Sequence, residues 1–474
     1  MKLRLMTMSA VSVCVLLGLV SSAGANTPIK PTSSQLKATS SAPVEGPSWL
    51  KYPLNSAWVY ENKNFPNKPT VGAAVQQTTS IKDFQQATNS GLTALYSYGG
   101  DIELLSTTNP WAPATDGKSV CSQAACLSAF YLPKLPKGAK INHVTAGYKR
   151  AFPTLHIMPI IDARINSLGL YDDGTIAKTK KPYAQAMDSL NKTQAETLAD
   201  NVANQICGDP NAAGAQFDIE PFSISSKTSG QYYFYNRISS DFAGKTDLNA
   251  GCVDQANGYP NGRAFSVFTF AGAINPTVAQ VLNQYHNGYV VDSLYDLGDP
   301  QAIKAGKVAS SPSDYGNYVS EEISSMVGAA NRYGVQFQFA VAGAASAHEF
   351  VRMQPEFSQN YHQKLQPAAF MSEYLDQITQ SPNYICLMNG LGTVTGTCNG
   401  ENNTAWNYAR RLYLGNAMWA FDTKMPWSPC KSAPNLKAHM VCPHKKENNL
   451  YFPATYNPEK DPNLIAALNG LFKK

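Results

Sequence analysis

Short apolar, β-branched or aromatic runs alternate along this chain with stretches whose apolar residues recur at helical spacing. The runs Thr93–Tyr98, Leu155–Ile161, Ala213–Ile219, Phe265–Ala271, Tyr289–Leu294, Val335–Val341 and Asn416–Phe421 read as strands, and Leu127–Leu132 as an eighth, second in order. Between them, Thr193–Ile206 sets Leu198, Val202 and Ile206 on one helical face. Gln231–Phe242, Pro276–Tyr285, Tyr318–Tyr333, Pro367–Ile378, Ala405–Leu414 and Pro462–Phe472 follow the same spacing. Strands that alternate with helices predict a parallel sheet joined by crossover helices. No glycine-rich GxGxxG turn follows any strand, so the pattern favours an α/β fold of the closed (β/α)8 TIM-barrel type over an open doubly wound sheet. The Pro- and Cys-bearing segments 100–125, 381–403 and 423–461 are expected to decorate the barrel as long loops.

The first residues change the picture of where the chain works. Lys2 and Arg4 precede an apolar stretch from Leu5 to Val20, and Ala23-Gly24-Ala25 is a small-residue cleavage site. The stretch is short and broken by Thr7, Ser9 and Ser12, which predicts a cleaved signal peptide over 1–25 rather than a membrane anchor. Secretion or a periplasmic location follows. Residues 26–47 are rich in Thr, Ser, Pro and Ala and read as a disordered linker, leaving 48–474 for the barrel. Of nine cysteines, Cys14 lies in the leader. The other eight read as disulfides, with sequence neighbours suggesting Cys121–Cys126, Cys207–Cys252, Cys386–Cys398 and Cys430–Cys442 among many pairings. His439, Cys442 and His444 lack the paired CxxC spacing of a zinc site, and no metal or other cofactor is expected.

Charge narrows the partners. The formal charge of +5 loses two positive charges with Lys2 and Arg4, too little to argue for nucleic acid or a membrane surface. Charged residues make up 15% of the chain against 25 tyrosines, a balance suited to a neutral, hydroxyl-rich ligand such as a poly- or oligosaccharide. A monomer is expected.

In (β/α)8 barrels the chemistry gathers at the C-terminal ends of the strands. Those ends carry Tyr98, then Asp162 with Arg164, then Asp218 and Glu220, then Tyr295 and Asp296, and finally Trp419 with Asp422. Alternation along Ala213–Ile219 sets Asp218 and Glu220 on one face, about 7 Å apart. Carboxylates held so close repel one another, and one stays protonated nearer to neutral pH, the state needed to protonate a glycosidic oxygen. His348-Glu349 lacks the second histidine of HExxH, and neither a GxSxG elbow nor a P-loop occurs.

These residues carry a resemblance. Phe217-Asp218-Ile219-Glu220 resembles the end of the DxxDxDxE motif of family-18 glycoside hydrolases, the chitinases and related endo-N-acetylglucosaminidases. Leu294-Tyr295-Asp296-Leu297-Gly298 is similar to that family's M-x-Y-D motif, and Ala417-Met418-Trp419-Ala420-Phe421-Asp422 resembles its last strand. The resemblance implies a (β/α)8 barrel that cleaves β-linked N-acetylhexosamine glycans with retention and without a cofactor. Glu220 would be the general acid, and Asp218 would orient the substrate's acetamido group, whose oxygen attacks the anomeric carbon. Tyr295 would donate to that oxygen, Asp296 would hold the sugar, and Trp419 would stack beneath it. Gln216, Asp162 and Tyr98 complete the expected substrate contacts.

The chain departs from the family at four places. Ala213 and Gln216 stand at the motif's first two aspartates, Pro159-Ile160-Ile161-Asp162 replaces SxGG, and Ser293 stands where Met is usual. Two rivals follow. One is a glycan-binding barrel with little turnover. The other is a hydrolase in which Glu220 works with another strand-end carboxylate, Asp162 or Asp296.

Overall fold

Each barrel strand hydrogen-bonds in parallel to the next, and the last closes on the first. The structure is a computed structural model that describes residues 46–60, 71–105, 126–127, 143–165, 187–188, 190–220, 222–295, 297, 312–342, 375–389, 402–422 and 462–472. Its strands are β1 (Asn55–Tyr60), β2 (Leu92–Leu105), β3 (Cys126–Leu127), β4 (His156–Ile165), β5 (Gly214–Asp218), β6 (Ala264–Thr269), β7 (Gly288–Ser293), β8 (Phe337–Ala342) and β9 (Tyr413–Asp422). The order is β1-β9-β8-β7-β6-β5-β4-β2, and β1 also pairs with β2, so eight parallel strands form a closed (β/α)8 barrel. The described helices are α1 (Val71–Thr88), α2 (Val144–Ala151), α3 (Lys192–Cys207), α4 (Gly230–Phe242), α5 (Pro276–Asn283), α6 (Pro312–Tyr333), α7 (Pro382–Asn389), α8 (Asn402–Leu412) and α9 (Pro462–Leu471).

One strand is not where the sequence pattern put it. The eighth barrel strand is Asn55–Tyr60, not Leu127–Leu132. Of the latter only Leu127 is described, and with Cys126 it pairs antiparallel to Leu104 and Leu105. That contact lies on the far extension of β2, past the residues that pair with β1. Of the helix expected over 367–378, residues 375–379 are described and helical. The leader and all but two residues of the linker lie outside the described residues.

Local chemistry explains the elements that flank the site. Helix α3 opens with a capping box in which the Asn191 side chain accepts from Gln194 N and Gln194 from Asn191 N. Its buried face is Ala195, Leu198, Ala199, Val202, Ala203 and Ile206, the spacing expected of a helix packed on a sheet. Ser229 caps α4 through Tyr232 N, and Asn275 caps α5 through the N–H groups of Thr277 and Val278, with Pro276 in its first turn. Gly214 opens β5 at a φ of 154°, where an added Cβ would lie 1.8 Å from the Ala264 carbonyl oxygen. Only glycine lets β5 and β6 approach so closely there.

The lumen is partly polar. Tyr96 Oη lies 2.8 Å from Tyr289 Oη and also bonds Gln338, whose amide meets Ser56 and Leu54 O. Tyr289 Oη donates to Met158 Sδ at 3.3 Å. Burial pushes the Tyr96 phenol up to about 12, so it stays a neutral donor across the ordinary pH range. A disulfide joins Cys207, at the end of α3, to Cys252. Cys386 is also disulfide-bonded, and its expected partner Cys398 lies outside the described residues, as do Cys121, Cys430 and Cys442. Cys126 is described as backbone within β3.

Candidate active site

Strand β5 points Gln216 into the lumen, because its amide oxygen accepts from Trp58 Nε1 on β1 at 3.2 Å. The amide nitrogen donates to Phe217 O at 3.0 Å, and the side chain is fully buried. Phe217, one residue on, packs outward edge-to-face against Phe234, Tyr235 and Phe265. Period-two alternation then returns Asp218 to the lumenal face, one layer above Gln216 and at the C-terminal end of the strand. Asp218 is half-buried. Gln216 therefore underlies the barrel mouth, with both amide ends engaged inside the protein.

The strand ends at Asp218, so the direction of Glu220 is set by the loop and not by alternation, as the sequence pattern had it. That loop is anchored at each side of the carboxylate. Ile219 and Phe222 are buried, and Phe222 packs edge-on against Tyr235 with ring centroids 5.3 Å apart. Farther on, Ser223 N donates to Gln231 Oε1 at 3.1 Å, and Asn275 Nδ2 to Ile224 O at 2.8 Å. Gln231 N in turn donates to Asp188, whose carboxyl burial holds above the usual range. Glu220 itself is exposed, held on a pinned loop just past the strand end. The Tyr235 phenol beneath is pushed well up, first by burial and then by the charges of Asp218 and Asp188.

Asp162 enters from β4, where it stands opposite Asp218 in register, one pair beyond Ile161–Phe217 and two beyond Ile160–Gln216. Four residues earlier on the same strand, Met158 reaches Tyr289 inside the lumen, so Asp162 shares that face. It too is half-buried. The two aspartates thus sit on neighbouring strands about 4.8 Å apart in backbone spacing.

Tyr295 follows the end of β7. Ser293 Oγ donates to its carbonyl oxygen at 2.6 Å, and its ring stacks on Phe268 at 5.9 Å with an interplanar angle of 27°. Phe268 meets Trp58 edge-on at 6.0 Å, and Trp58 meets Tyr96 at 5.2 Å. An aromatic floor therefore runs from β1 through β6 to the end of β7. Trp58 and Phe268 are the members that sequence reasoning did not assign to the site. The signal was available in Ser56 and Trp58 alternating with Ala57 and Val59, but the polar start at Asn55 and Ser56 leaves a weaker apolar run than Phe265–Ala271 or Tyr289–Leu294. The backbone of Trp419 pairs with Ala342 and with Trp58. The side chains of Trp419 and Tyr98, and Asp296 as a whole, lie outside what is described. Among the described residues no three His, Cys, Asp or Glu side chains gather as a metal site, and no helix is long and apolar enough to cross a membrane.

No protein-family model matches the chain, and no curated protein matches it. The resemblance to family-18 glycoside hydrolases therefore stands on its motif residues. The solved structures that align with the chain at low similarity include two that cover most of it. A Bacteroidetes-affiliated GH5 cellulase linked with a polysaccharide utilization locus aligns at 12% identity and a TM-score of 0.36, covering 90% of this chain and 92% of its own. A GH5-4 broad specificity endoglucanase from an uncultured bacterium aligns at 10% identity and a TM-score of 0.38, covering 90% and 95%. The barrel assignment rests on the chain's own strand pairing.

Proposed function

We infer that this chain is an exported glycoside hydrolase that cleaves β-linked N-acetylhexosamine glycans, such as chitin-like polymers, peptidoglycan strands or N-glycan cores. The observation that carries the reading is the position of Glu220, exposed on a pinned loop at the C-terminal mouth of a (β/α)8 barrel, two residues beyond a lumenal Asp218. Glu220 gives its proton to the glycosidic oxygen as the bond to the anomeric carbon breaks. The acetamido oxygen of the substrate attacks that carbon and forms a cyclic oxazolinium, which Asp218 orients and balances in charge. Tyr295 donates a hydrogen bond to the acetamido group, Asp296 holds the sugar, and Trp419 with the Trp58–Phe268–Tyr295 floor forms its apolar bed. The Glu220 carboxylate then takes a proton from water, which opens the ring with net retention.

The register of Asp162 with Asp218 favours one second reading. Here Asp162 is the carboxylate that works with Glu220, and the substrate needs no acetamido group. The experiment is hydrolysis of a chromogenic N-acetylglucosamine oligomer by the mature chain and by Glu220→Gln. The variant should lose about 10²–10⁴-fold in kcat with an unchanged circular dichroism spectrum. Inhibition by a thiazoline mimic of the oxazolinium supports acetamido attack. Insensitivity to it, with activity on non-acetylated oligomers lost in Asp162→Asn, supports the second reading. Glycan binding without turnover, unchanged in Glu220→Gln, would make the chain a binding protein and remove both.

A further inference from the structure

Asp292 lies on β7, sealed from solvent, between Thr269 of β6 and Phe339 of β8 in register. Tyr289 of the same strand points into the lumen, so alternation sends Asp292 out toward the helical layer. There it meets Glu322 of α6, the titratable group acting on it among the described residues. Glu322 Oε1 accepts the backbone N–H of Ala271 at 2.7 Å, in the short turn Ala271–Ala273 that follows β6. Neither Asp292 oxygen has a hydrogen-bond partner of ordinary geometry among the described residues. Two carboxyls thus face one another under a helix with one backbone donor beside them, and the register neighbours Thr269 and Phe339 are uncharged.

Two facing carboxylates without a cation between them repel, and a buried charge without a partner costs several kcal/mol. Burial first, and then Glu322, hold the Asp292 carboxyl well above the usual range. The mechanism inferred above makes no use of either group.

We propose that Asp292 and Glu322 form a proton-dependent latch that fastens α6 over the edge of β6 and β7 and the Ala271–Ala273 turn. With a proton on the Asp292 carboxyl the latch is closed. Its release to solvent sets two like charges against each other and loosens the helix, and its return closes the contact again. The turn begins three residues after Phe268, which stacks on Tyr295, so the latch bears on the aromatic floor of the barrel mouth. The sign is fixed by linkage. A carboxyl whose folded pKa lies above its unfolded one adds stability that is present in acid and is lost as pH rises through the folded value.

The test uses the full mature chain, wild type and Asp292→Asn, with Glu322→Gln as a second variant that keeps an acceptor for Ala271 N–H. Thermal unfolding and amide exchange of the peptide containing Ala271 are followed from about pH 5 to about pH 8. Wild type should lose at least about 3 °C of Tm relative to either variant across this range, and its Ala271 peptide should exchange faster after correction for intrinsic base catalysis. Should Asp292→Asn fail to fold, the Glu322→Gln comparison decides. Parallel pH profiles for wild type and each folded variant would overturn the latch. This outcome is independent of whether the chain hydrolyses glycans.

Discussion

The indole Nε1–H of Trp58 donates to the amide oxygen of Gln216 at 3.2 Å, joining β1 to β5 across the lumen. Both residues are buried, and the other end of the Gln216 amide is taken by Phe217 O. Trp58→Phe removes the donor and leaves a buried acceptor unsatisfied, at a cost of about 1–3 kcal/mol. Gln216→Leu in the same background removes the orphaned acceptor as well, so a double-mutant cycle read by thermal or denaturant unfolding should return a coupling of about 1 kcal/mol. Strict additivity of the two changes would mean that the hydrogen bond contributes nothing to closure.

A separate pH dependence, opposite in sign to that of the latch, arises at the start of β4. His156 stacks on Trp49 with centroids 4.4 Å apart and an interplanar angle of 15°, and its buried Nδ1 has no hydrogen-bond partner. Burial, and secondly the charge of Lys149, lower its pKa from 6.5 to about 4. A base whose folded pKa is depressed gives stability that is whole above the unfolded value and is lost as pH falls from 6.5 toward about 4. The loss is on the order of 3 kcal/mol. His156→Phe keeps the stack and removes the titration, so its Tm should fall less than that of wild type between about pH 7 and about pH 4. Equal slopes would assign the acid loss to other groups.

The Cys207–Cys252 bond closes a segment of sequence separation 45 that contains β5, α4 and the loop carrying Glu220. A loop of that length corresponds to about 4 kcal/mol of chain entropy removed from the unfolded state. Cys207→Ala paired with Cys252→Ala should lower stability by about 2–4 kcal/mol, read by denaturant titration under non-reducing conditions. A loss below about 0.5 kcal/mol would show that the unfolded segment is already compact without the bond.

Much of this architecture could be read from the chain because buried parallel strands are unmistakably apolar. Phe265–Ala271, Tyr289–Leu294 and Val335–Val341 each overlap a barrel strand, and Thr193–Ile206 lies within α3, whose cap is also written in Asn191 and Gln194. What escaped depends on partners remote in sequence. Asn55–Tyr60 mixes Asn55, Ser56 and Trp58 with small or branched residues, and its identity as a strand comes from being flanked by β2 and β9. Helix α1 is rich in Gln and Thr, and its larger apolar residues, Val71, Val75, Ile81 and Phe84, are too irregularly spaced to show one stripe. At the site, Asp218 was legible from alternation, whereas Glu220 lies past the strand and takes its place from Ile219, Phe222 and the Gln231 contacts. The facing of Asp162 and Asp218 is a matter of inter-strand register, which a single sequence does not encode locally.

Because β1 is flanked by β2 and β9, the strand translated earliest can gain its second neighbour only when the one translated latest has emerged. A nascent chain halted before Tyr413 carries a curled sheet with two raw margins, each a template for foreign strands. Completion of the cylinder is thus a late, long-range event in the life of each molecule, and the interval before it is when a chain of this design most needs a chaperone.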